Sequence, residues 1–279
     1  MMNVLHCGAF RLTLDRPLIM GIVNLTPDSF SGDGVGDDSA AAIAHAESQL
    51  RSGADILDLG AESSRPGAAP VPPEVELARL LPVLQGIRDW GVPLSVDTTK
   101  PAVMRAVIDA GVAIINDIAA LGEPGGLAAV ADSGVGICLM HMRGEPRTMQ
   151  ADPHYDDVVA EVGDFLAGRV AACVGAGIGR ERLMIDPGFG FGKTVAHNYR
   201  LLRELACFES IGVPVLAGLS RKSMLGAVTG QANGPARMPA SVAAALLAVE
   251  RGAKIVRVHD VAATRDALAV LAATTGGNG

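Results

Sequence analysis

The sequence predicts an α/β protein folded as a (β/α)8 TIM barrel with a short N-terminal β-hairpin, and three observations support this fold class. The chain has 279 residues, close to the roughly 250 residues of a typical barrel of this kind. Eight short apolar runs recur along it, several of them separated by stretches with helical periodicity. A polar or charged residue stands at or just after the end of nearly every run. In a barrel of parallel strands, these ends surround a single cavity.

The strand elements follow from local patterns. Phe10–Asp15 alternates apolar and polar residues, so residues 1–17 are expected to form a hairpin that plugs the bottom of the barrel. The eight predicted barrel strands are, in order, Leu18–Val23, Ala54–Leu59, Pro93–Val96, Val112–Ile115, Ile137–Met140, Leu183–Ile185, Val213–Ala217 and Lys254–Val256. Their aliphatic content is typical of strands that are buried on both faces.

Five connecting segments show helical periodicity: Ser39–Ser52, Val75–Trp90, Asp157–Val174, Ala240–Arg251 and Ala262–Ala273. Pro82 is expected to kink its helix or to begin a new turn within it. No interior linker is long or polar enough to divide the chain. We therefore expect one domain over residues 1–279, with 276–279 as a flexible tail.

Composition and charge argue against several classes of function. A net charge of −7 leaves no general basic surface, so we expect no nucleic-acid partner. No charge-free apolar stretch approaches the roughly 20 residues that cross a bilayer, and residues 1–17 lack the pattern of a secretory signal. The four cysteines form no Cys-x-x-Cys pair, which argues against a zinc site and favours free thiols. We expect no membrane association and a cytoplasmic location.

Three residues at strand ends, Asp97, Asn116 and Asp186, are expected to converge inside the barrel rim. Singly, an aspartate at such a position often caps the next helix. Together, the three indicate recognition of a flat heterocycle with several N–H donors and acceptors. A carboxylate can accept two parallel hydrogen bonds from an amino group and an adjacent ring N–H, while an amide both donates and accepts.

Basic residues near other strand ends indicate an anionic substrate or leaving group. Lys222, Arg257 and His259 follow the last two strands, and Arg65 lies in a loop. Arg257 and His259 are two apart on one predicted strand and would point to the same side. Asn24 ends the first barrel strand and could hold the anion directly or through a divalent cation.

Two connections, residues 26–38 and 63–73, are longer than turns require and are rich in Gly, Ser, Asp or Pro. Both could be ordinary solvated loops. Because each follows a strand and lies on the catalytic face, we expect them to act as lids.

Taken in order, the motifs of this chain resemble the dihydropteroate synthase family. The segments that carry the resemblance are Met20–Ser31, Gly53–Gly67, Ser95–Thr98, Ile115–Asp117, Asp186–Thr194, Gly218–Ser223 and Val256–Asp260. The resemblance implies a step of folate biosynthesis. The amine of 4-aminobenzoate attacks the exocyclic methylene of 6-hydroxymethyl-7,8-dihydropterin diphosphate, which releases diphosphate and forms 7,8-dihydropteroate.

The resemblance also implies the roles of individual residues. The pterin site would consist of Asp97, Asn116, Asp186 and Lys222, bordered by Phe191. The diphosphate site would consist of Asn24, Arg65, Arg257 and His259, with Asn24 contacting Mg2+. The aminobenzoate pocket would consist of Ser64, Arg65, Pro66 and Ser220, under a lid bearing Phe30. The catalytic residues would be Asp97, Lys222 and Arg257, in an enzyme that is expected to form a homodimer.

Two positions depart from the family pattern. Ser64 stands where the family often has Thr, which keeps the hydroxyl and loses a methyl contact. The first loop reads Ser-Gly-Asp-Gly from Ser31, whereas the family often places Asp directly after that Ser. Asp33 is therefore given no role.

Two alternatives share this barrel. A non-catalytic pterin-binding paralogue would be expected to have lost loop or anion-binding residues, and none is lost here. A methyltetrahydrofolate-using corrinoid methyltransferase has no diphosphate to expel. It would have no need for the Ser64–Pro66 segment together with Arg257 and His259.

Overall fold

The computed structural model describes residues 3–26, 39–63 and 67–274 of the chain. The strands are β1 Val4–Cys7, β2 Phe10–Thr13, β3 Leu18–Asn24, β4 Ile56–Gly60, β5 Leu94–Asp97, β6 Ile114–Asp117, β7 Gly136–Met140, β8 Leu183–Asp186, β9 Val215–Ala217 and β10 Ala253–Val258. Strands β3 to β10 are parallel and close into a barrel, in which β10 pairs with β3. The predicted fold class is thus confirmed.

Helices connect the successive strands and cover the outside of the barrel. They are α1 Ser39–Arg51, α2 Pro73–Ile87, α3 Pro101–Asp109, α4 Gly126–Val130, α5 Val158–Gly175, α6 Val195–Arg203, α7 Ser223–Thr229, α8 Met238–Glu250 and α9 Val261–Thr274. Helical periodicity in the sequence does not predict α3, α4, α6 and α7. Each has nine residues or fewer, which is too short to establish a clear period. Helix α2 continues through Pro82.

The predicted strands differ from the observed ones by at most two residues at either end. Most of the observed strands end later than predicted. Asn24, Asp97 and Asp186 are consequently the last residues of β3, β5 and β8. Their backbones belong to the sheet, so their side chains are held at fixed positions around the rim.

The N-terminal hairpin packs against the lower interior of the barrel, as predicted. Strands β1 and β2 pair antiparallel. Leu5 and Cys7 are fully buried in a cluster with Met20, Ile56 and other residues from the first halves of the barrel strands. The Gly8 N–H donates to the Gly134 carbonyl at 2.7 Å, which fixes the hairpin to the loop before β7. Apolar packing therefore fills this end of the barrel.

No helix within the described ranges is both long enough and apolar enough to cross a membrane.

Candidate active site

A cavity of about 710 Å³ opens at the C-terminal ends of the barrel strands. Nine residues of the predicted site line it: Asn24, Asp97, Asn116, Asp186, Phe191, Ser220, Lys222, Arg257 and His259. The other predicted site residues, Phe30, Ser64, Arg65 and Pro66, lie outside the described residues, as do Asp33 and most of the first predicted lid. The predicted convergence is thus observed for every site residue that the structure describes.

The residues predicted to bind a heterocycle line the cavity from β5, β6 and β8. Asp97 and Asn116 are register partners on β5 and β6. Asp186 ends β8 and accepts a hydrogen bond from the Gly188 N–H at 2.7 Å. Burial raises the pKa of Asp186, whereas this hydrogen bond and the nearby Lys222 act in the opposite direction. The next residue on β6, Asp117, instead holds the turn after the strand, because it accepts from the Ala119 and Leu121 N–H groups.

Arg257 lies between two carboxylates at the base of this cavity. Its Nε donates to Asp58 Oδ2 at 2.6 Å, and its Nη2 donates to Asp97 Oδ2 at 3.2 Å. Burial raises the pKa of Asp97, the Arg257 charge opposes that rise, and Asp58, Asp117 and Glu76 add to it. Asp97, which lines the cavity, is therefore held within a group of interacting charges.

Asp58, which binds Arg257, is not among the site residues predicted from the sequence. It is the third residue of β4, fully buried, and does not line the cavity. A signal was present, because Asp58 is an acidic residue inside the otherwise apolar run Ala54–Leu59. A charge in the interior of a parallel strand requires a partner.

The glycine-rich loop after β8 supports Lys222. Gly188, Gly190 and Gly192 all have positive φ, at 69°, 80° and 62°. Phe191 in this loop lies beneath the Lys222 ammonium, with 4.1 Å between Nζ and the ring centroid. A cation at this distance is attracted to the face of the ring. The loop therefore orients Lys222 over the cavity.

A second lysine holds the glycine-rich loop from below. Lys193 is buried, and its Nζ donates to the carbonyls of Gly188 and Phe191, each at 2.9 Å. It also lies 2.9 Å from His141 Nδ1. Burial lowers the pKa of Lys193 to about 7 and that of His141 to about 3. His141 is therefore a neutral, buried partner of Lys193.

Ser220 and His259, which follow β9 and β10, meet at the cavity wall. His259 Nδ1 lies 2.9 Å from Ser220 Oγ, and the His259 backbone N–H donates to the same oxygen at 3.2 Å. Strand β10 ends at Val258, so the expectation that His259 belongs to the strand with Arg257 is wrong. Arg257 is bonded into the base of the cavity, whereas His259 follows the loop toward Ser220.

An ion pair connects the two loops that carry these residues. Arg221 Nη2 and Nε donate to Asp260 Oδ1 and Oδ2, at 2.8 and 3.2 Å. Arg221 has a φ of 57°, which is uncommon for a residue with a side chain. The left-handed turn separates Ser220 from Lys222, so these neighbours reach different parts of the cavity.

Comparison with known proteins gives one consistent family. The model described as "Pterin binding enzyme" matches residues 20–259. The dihydropteroate synthase of Neisseria meningitidis serogroup C is 54% identical to this chain over 270 residues, which cover 95% of each protein.

Two solved structures are similar to the whole chain. The Burkholderia cenocepacia dihydropteroate synthase complexed with 7,8-dihydropteroate is 52% identical with a TM-score of 0.90, and the match covers 98% of this chain and 97% of that one. The Xanthomonas albilineans dihydropteroate synthase with 4-aminobenzoic acid is 53% identical with a TM-score of 0.92, and the match covers 99% of each chain.

Proposed function

The chain belongs to the pterin binding enzymes and, among them, to the dihydropteroate synthases, and on this premise we propose how its own residues carry out the reaction. The enzyme condenses 4-aminobenzoate with (7,8-dihydropterin-6-yl)methyl diphosphate, which gives 7,8-dihydropteroate and diphosphate. One observation carries the assignment of residues. A single cavity is lined by Asp97, Asn116 and Asp186 on β5, β6 and β8 and by Ser220 and His259, which follow β9 and β10.

Asp97, Asn116 and Asp186 bind the pterin in this proposal. The two carboxylates accept hydrogen bonds from the amino and ring N–H groups, and the Asn116 amide serves as donor and acceptor. Lys222, held over Phe191, donates to the pterin from above. Because these groups are buried or half-buried, a ligand without matching donors would leave them unpaired. This arrangement favours a pterin over other flat rings.

Arg257, His259 and Asn24 bind the diphosphate. Two nitrogens of Arg257 are used by Asp58 and Asp97, and its Nη1 makes no hydrogen bond to the residues that the structure describes. That nitrogen is assigned to the anion, together with His259 and with Arg65 from the undescribed segment. The 4-aminobenzoate pocket is assigned to Ser220 and to residues 64–66.

Mg2+ fits this donor set as an ion carried by the diphosphate. Among residues 3–26, 39–63 and 67–274, no group of three His, Cys, Asp or Glu side chains is arranged to hold a metal. Mg2+ commonly uses one or two protein oxygens together with phosphate oxygens and water. The Asn24 side-chain oxygen can be one of these ligands. The ion, when bound, neutralises charge on the leaving diphosphate.

We assign a dissociative order to the bond changes. The C–O bond between the methylene and the diphosphate breaks first, and its electron pair leaves with the diphosphate. The electron-rich dihydropterin stabilises the resulting cation, next to Asp97 and Asp186. The nitrogen of 4-aminobenzoate then forms the C–N bond and loses a proton. The carboxylates beside the pterin and the basic groups beside the diphosphate are already in place. They stabilise the separating ions without reorganisation of the site.

This order requires no covalent bond between the pterin and the protein. Intact-protein mass spectrometry of samples quenched during turnover should show the unmodified mass. A pterin adduct on the chain would contradict the dissociative order while leaving the overall reaction unchanged.

The overall function is tested by diphosphate release from the dihydropterin diphosphate, with and without 4-aminobenzoate and Mg2+. Isotope-labelled aminobenzoate should appear in dihydropteroate, together with an equal amount of diphosphate. Tight pterin binding without turnover would indicate a non-catalytic paralogue. Methyl transfer from methyltetrahydrofolate would indicate the corrinoid enzyme.

The decrease of kcat/KM at low pH, the acid limb of the pH profile, should reflect the protonation of Asp97. Burial raises its pKa above the ordinary aspartate value of about 3.9, and pterin binding requires the ionised form. We therefore expect kcat/KM for the pterin substrate to fall as the pH decreases through this raised pKa. Steady-state kinetics across pH measure the limb. A limb at the ordinary aspartate pKa would contradict the assignment of Asp97.

Two further expectations from the sequence are retained as proposals, a cytoplasmic location and a homodimer. Exposed apolar side chains on the barrel helices support the dimer: Val228 on α7 is 62% exposed, and Met238 and Leu247 on α8 are each 39% exposed. Light scattering of the purified protein gives the oligomeric state.

A further inference from the structure

We propose that Asp58 is a positioning residue that keeps the Arg257 guanidinium at the base of the cavity when Asp97 is used by the pterin. The inference rests on the proposed function and adds a residue to it. Asp58 lies beneath the cavity, outside its lining. It therefore does not touch the substrate and can affect the reaction through Arg257.

The geometry of Asp58 leaves little freedom to its neighbours. The carboxylate accepts from Arg257 Nε at 2.6 Å, from Ser95 Oγ at 2.5 Å and from Asn116 Nδ2 at 3.4 Å. Both of its oxygens are therefore occupied, and the side chain is fully buried. A carboxylate held in this way defines the position of any cation that it binds.

Arg257 has two carboxylate partners, and they differ in their relation to the ligand. Asp97 lines the cavity, and its side chain is 18% exposed, so the pterin can compete for its oxygens. Asp58 is inaccessible, so its bond to Nε does not have to be broken when the substrate binds. With Nε held, the plane of the guanidinium stays fixed and Nη1 keeps its position toward the anion.

A contribution to stability alone does not account for a charge at this position. Removing a carboxylate and a guanidinium from water costs several kcal/mol per ion, and apolar side chains of similar volume often give equal or greater stability. The neighbouring interior positions of β4 show that apolar packing is available, since Ile56 belongs to the buried lower core. The charge of Asp58 is therefore better explained by its partner Arg257, which reaches the cavity.

The test uses Asp58→Asn, which keeps the shape of the side chain and removes its charge. Loss of a hydrogen bond to a charged group predicts a fall of about 10- to 100-fold in kcat/KM for the pterin diphosphate. The KM for 4-aminobenzoate should be unchanged. Because Asp58 raises the pKa of Asp97, the acid limb should also move to lower pH in the variant. A purely structural defect would not shift the pH at which kcat/KM falls. It would also not change the KM for one substrate while leaving the other unchanged.

Ser95→Ala is the matched control, since it removes another buried hydrogen bond of Asp58 and leaves the Arg257 ion pair in place. It should change kcat/KM by about threefold or less, because Ser95 does not line the cavity and Asp58 keeps its bond to Arg257 Nε. In the double variant, Asp58→Asn should reduce kcat/KM little beyond the loss caused by Arg257→Lys alone. The effects of two substitutions that act through the same group are not additive. Additive losses, or equal effects of Asp58→Asn and Ser95→Ala, would overturn the proposal.

A second measurement applies even if the Asp58 variant does not fold. In the wild-type enzyme, the Nε–H proton of Arg257, assigned by its loss in Arg257→Lys, should exchange slowly with solvent in NMR spectra. It should remain protected when the pterin substrate is bound. Loss of protection on binding would overturn the role of Asp58. Absence of turnover by the wild-type enzyme would instead contradict the proposed function.

Discussion

Replacing Lys222 with alanine is expected to lower kcat/KM by about 100- to 1000-fold, the usual cost of removing one preorganised charged donor from a catalytic site. The side chain lies over the Phe191 ring and lines the cavity. Its charge also favours the ionised form of Asp186. In the proposed site, the substitution therefore removes a donor to the pterin and makes Asp186, the proposed acceptor, less readily ionised.

Stability should change little in the same variant. Lys222 is half-buried at the start of α7, and substitutions of this kind usually alter the free energy of unfolding by about 0.5 kcal/mol. The expected change in Tm is about 2 °C or less. Lys254→Ala, near the start of β10 and away from the cavity, is the matched control and should keep full activity. A large drop in the Tm of the Lys222 variant would show that its main role is structural.

Gly188→Ala is expected to cause the largest loss of stability among single changes near the site. The φ of Gly188 is +69°, and a Cβ atom would lie 1.9 Å from the backbone oxygen of His141. Neither the strained φ nor the backbone clash can be relieved by rotating a side chain. Strain and overpacking together predict a loss of about 2–4 kcal/mol in the free energy of unfolding, or roughly 5–10 °C in Tm.

Gly168→Ala provides the matched control for that variant. Gly168 lies within α5, and a Cβ atom there would have no neighbour within 4 Å. The substitution should be neutral or stabilise the protein by about 0.5–1 kcal/mol, because alanine is the better helix former. Thermal unfolding of both variants gives the comparison. A Gly188 variant as stable as the Gly168 variant would contradict the described loop conformation.

The sequence was most informative about the upper rim of the barrel. Each strand is a short aliphatic run, and a polar residue ends it because the rim is the place where the barrel interior opens to a ligand. Asp97, Asn116 and Asp186 could therefore be placed in one cavity from their positions alone. The short helices were harder to identify, because α4 has only five residues and cannot show a helical repeat.

The partners of these residues could not be predicted from strand ends. Side chains alternate between the two faces of a strand, so Ile56, Asp58 and Gly60 on β4 share one face. Asp58 thus lies one layer below the rim. Polar residues at the ends of strands do not indicate its position. Its bond to Arg257 joins residues 199 positions apart, a contact that the closure of the barrel creates.

The hairpin that fills the lower end of the barrel determines from which end reactants enter and products leave the cavity. Leu5 and Cys7 pack into that end, so among the described residues the lower interior is filled by apolar side chains, and the cavity opens at the C-terminal ends of the strands. Both reactants arrive and both products depart by that opening. Dihydropteroate spans the positions of the pterin and of aminobenzoate, so while it stays bound neither reactant can reach its place. In the proposed reaction, dihydropteroate must therefore leave before the next pair of reactants can bind.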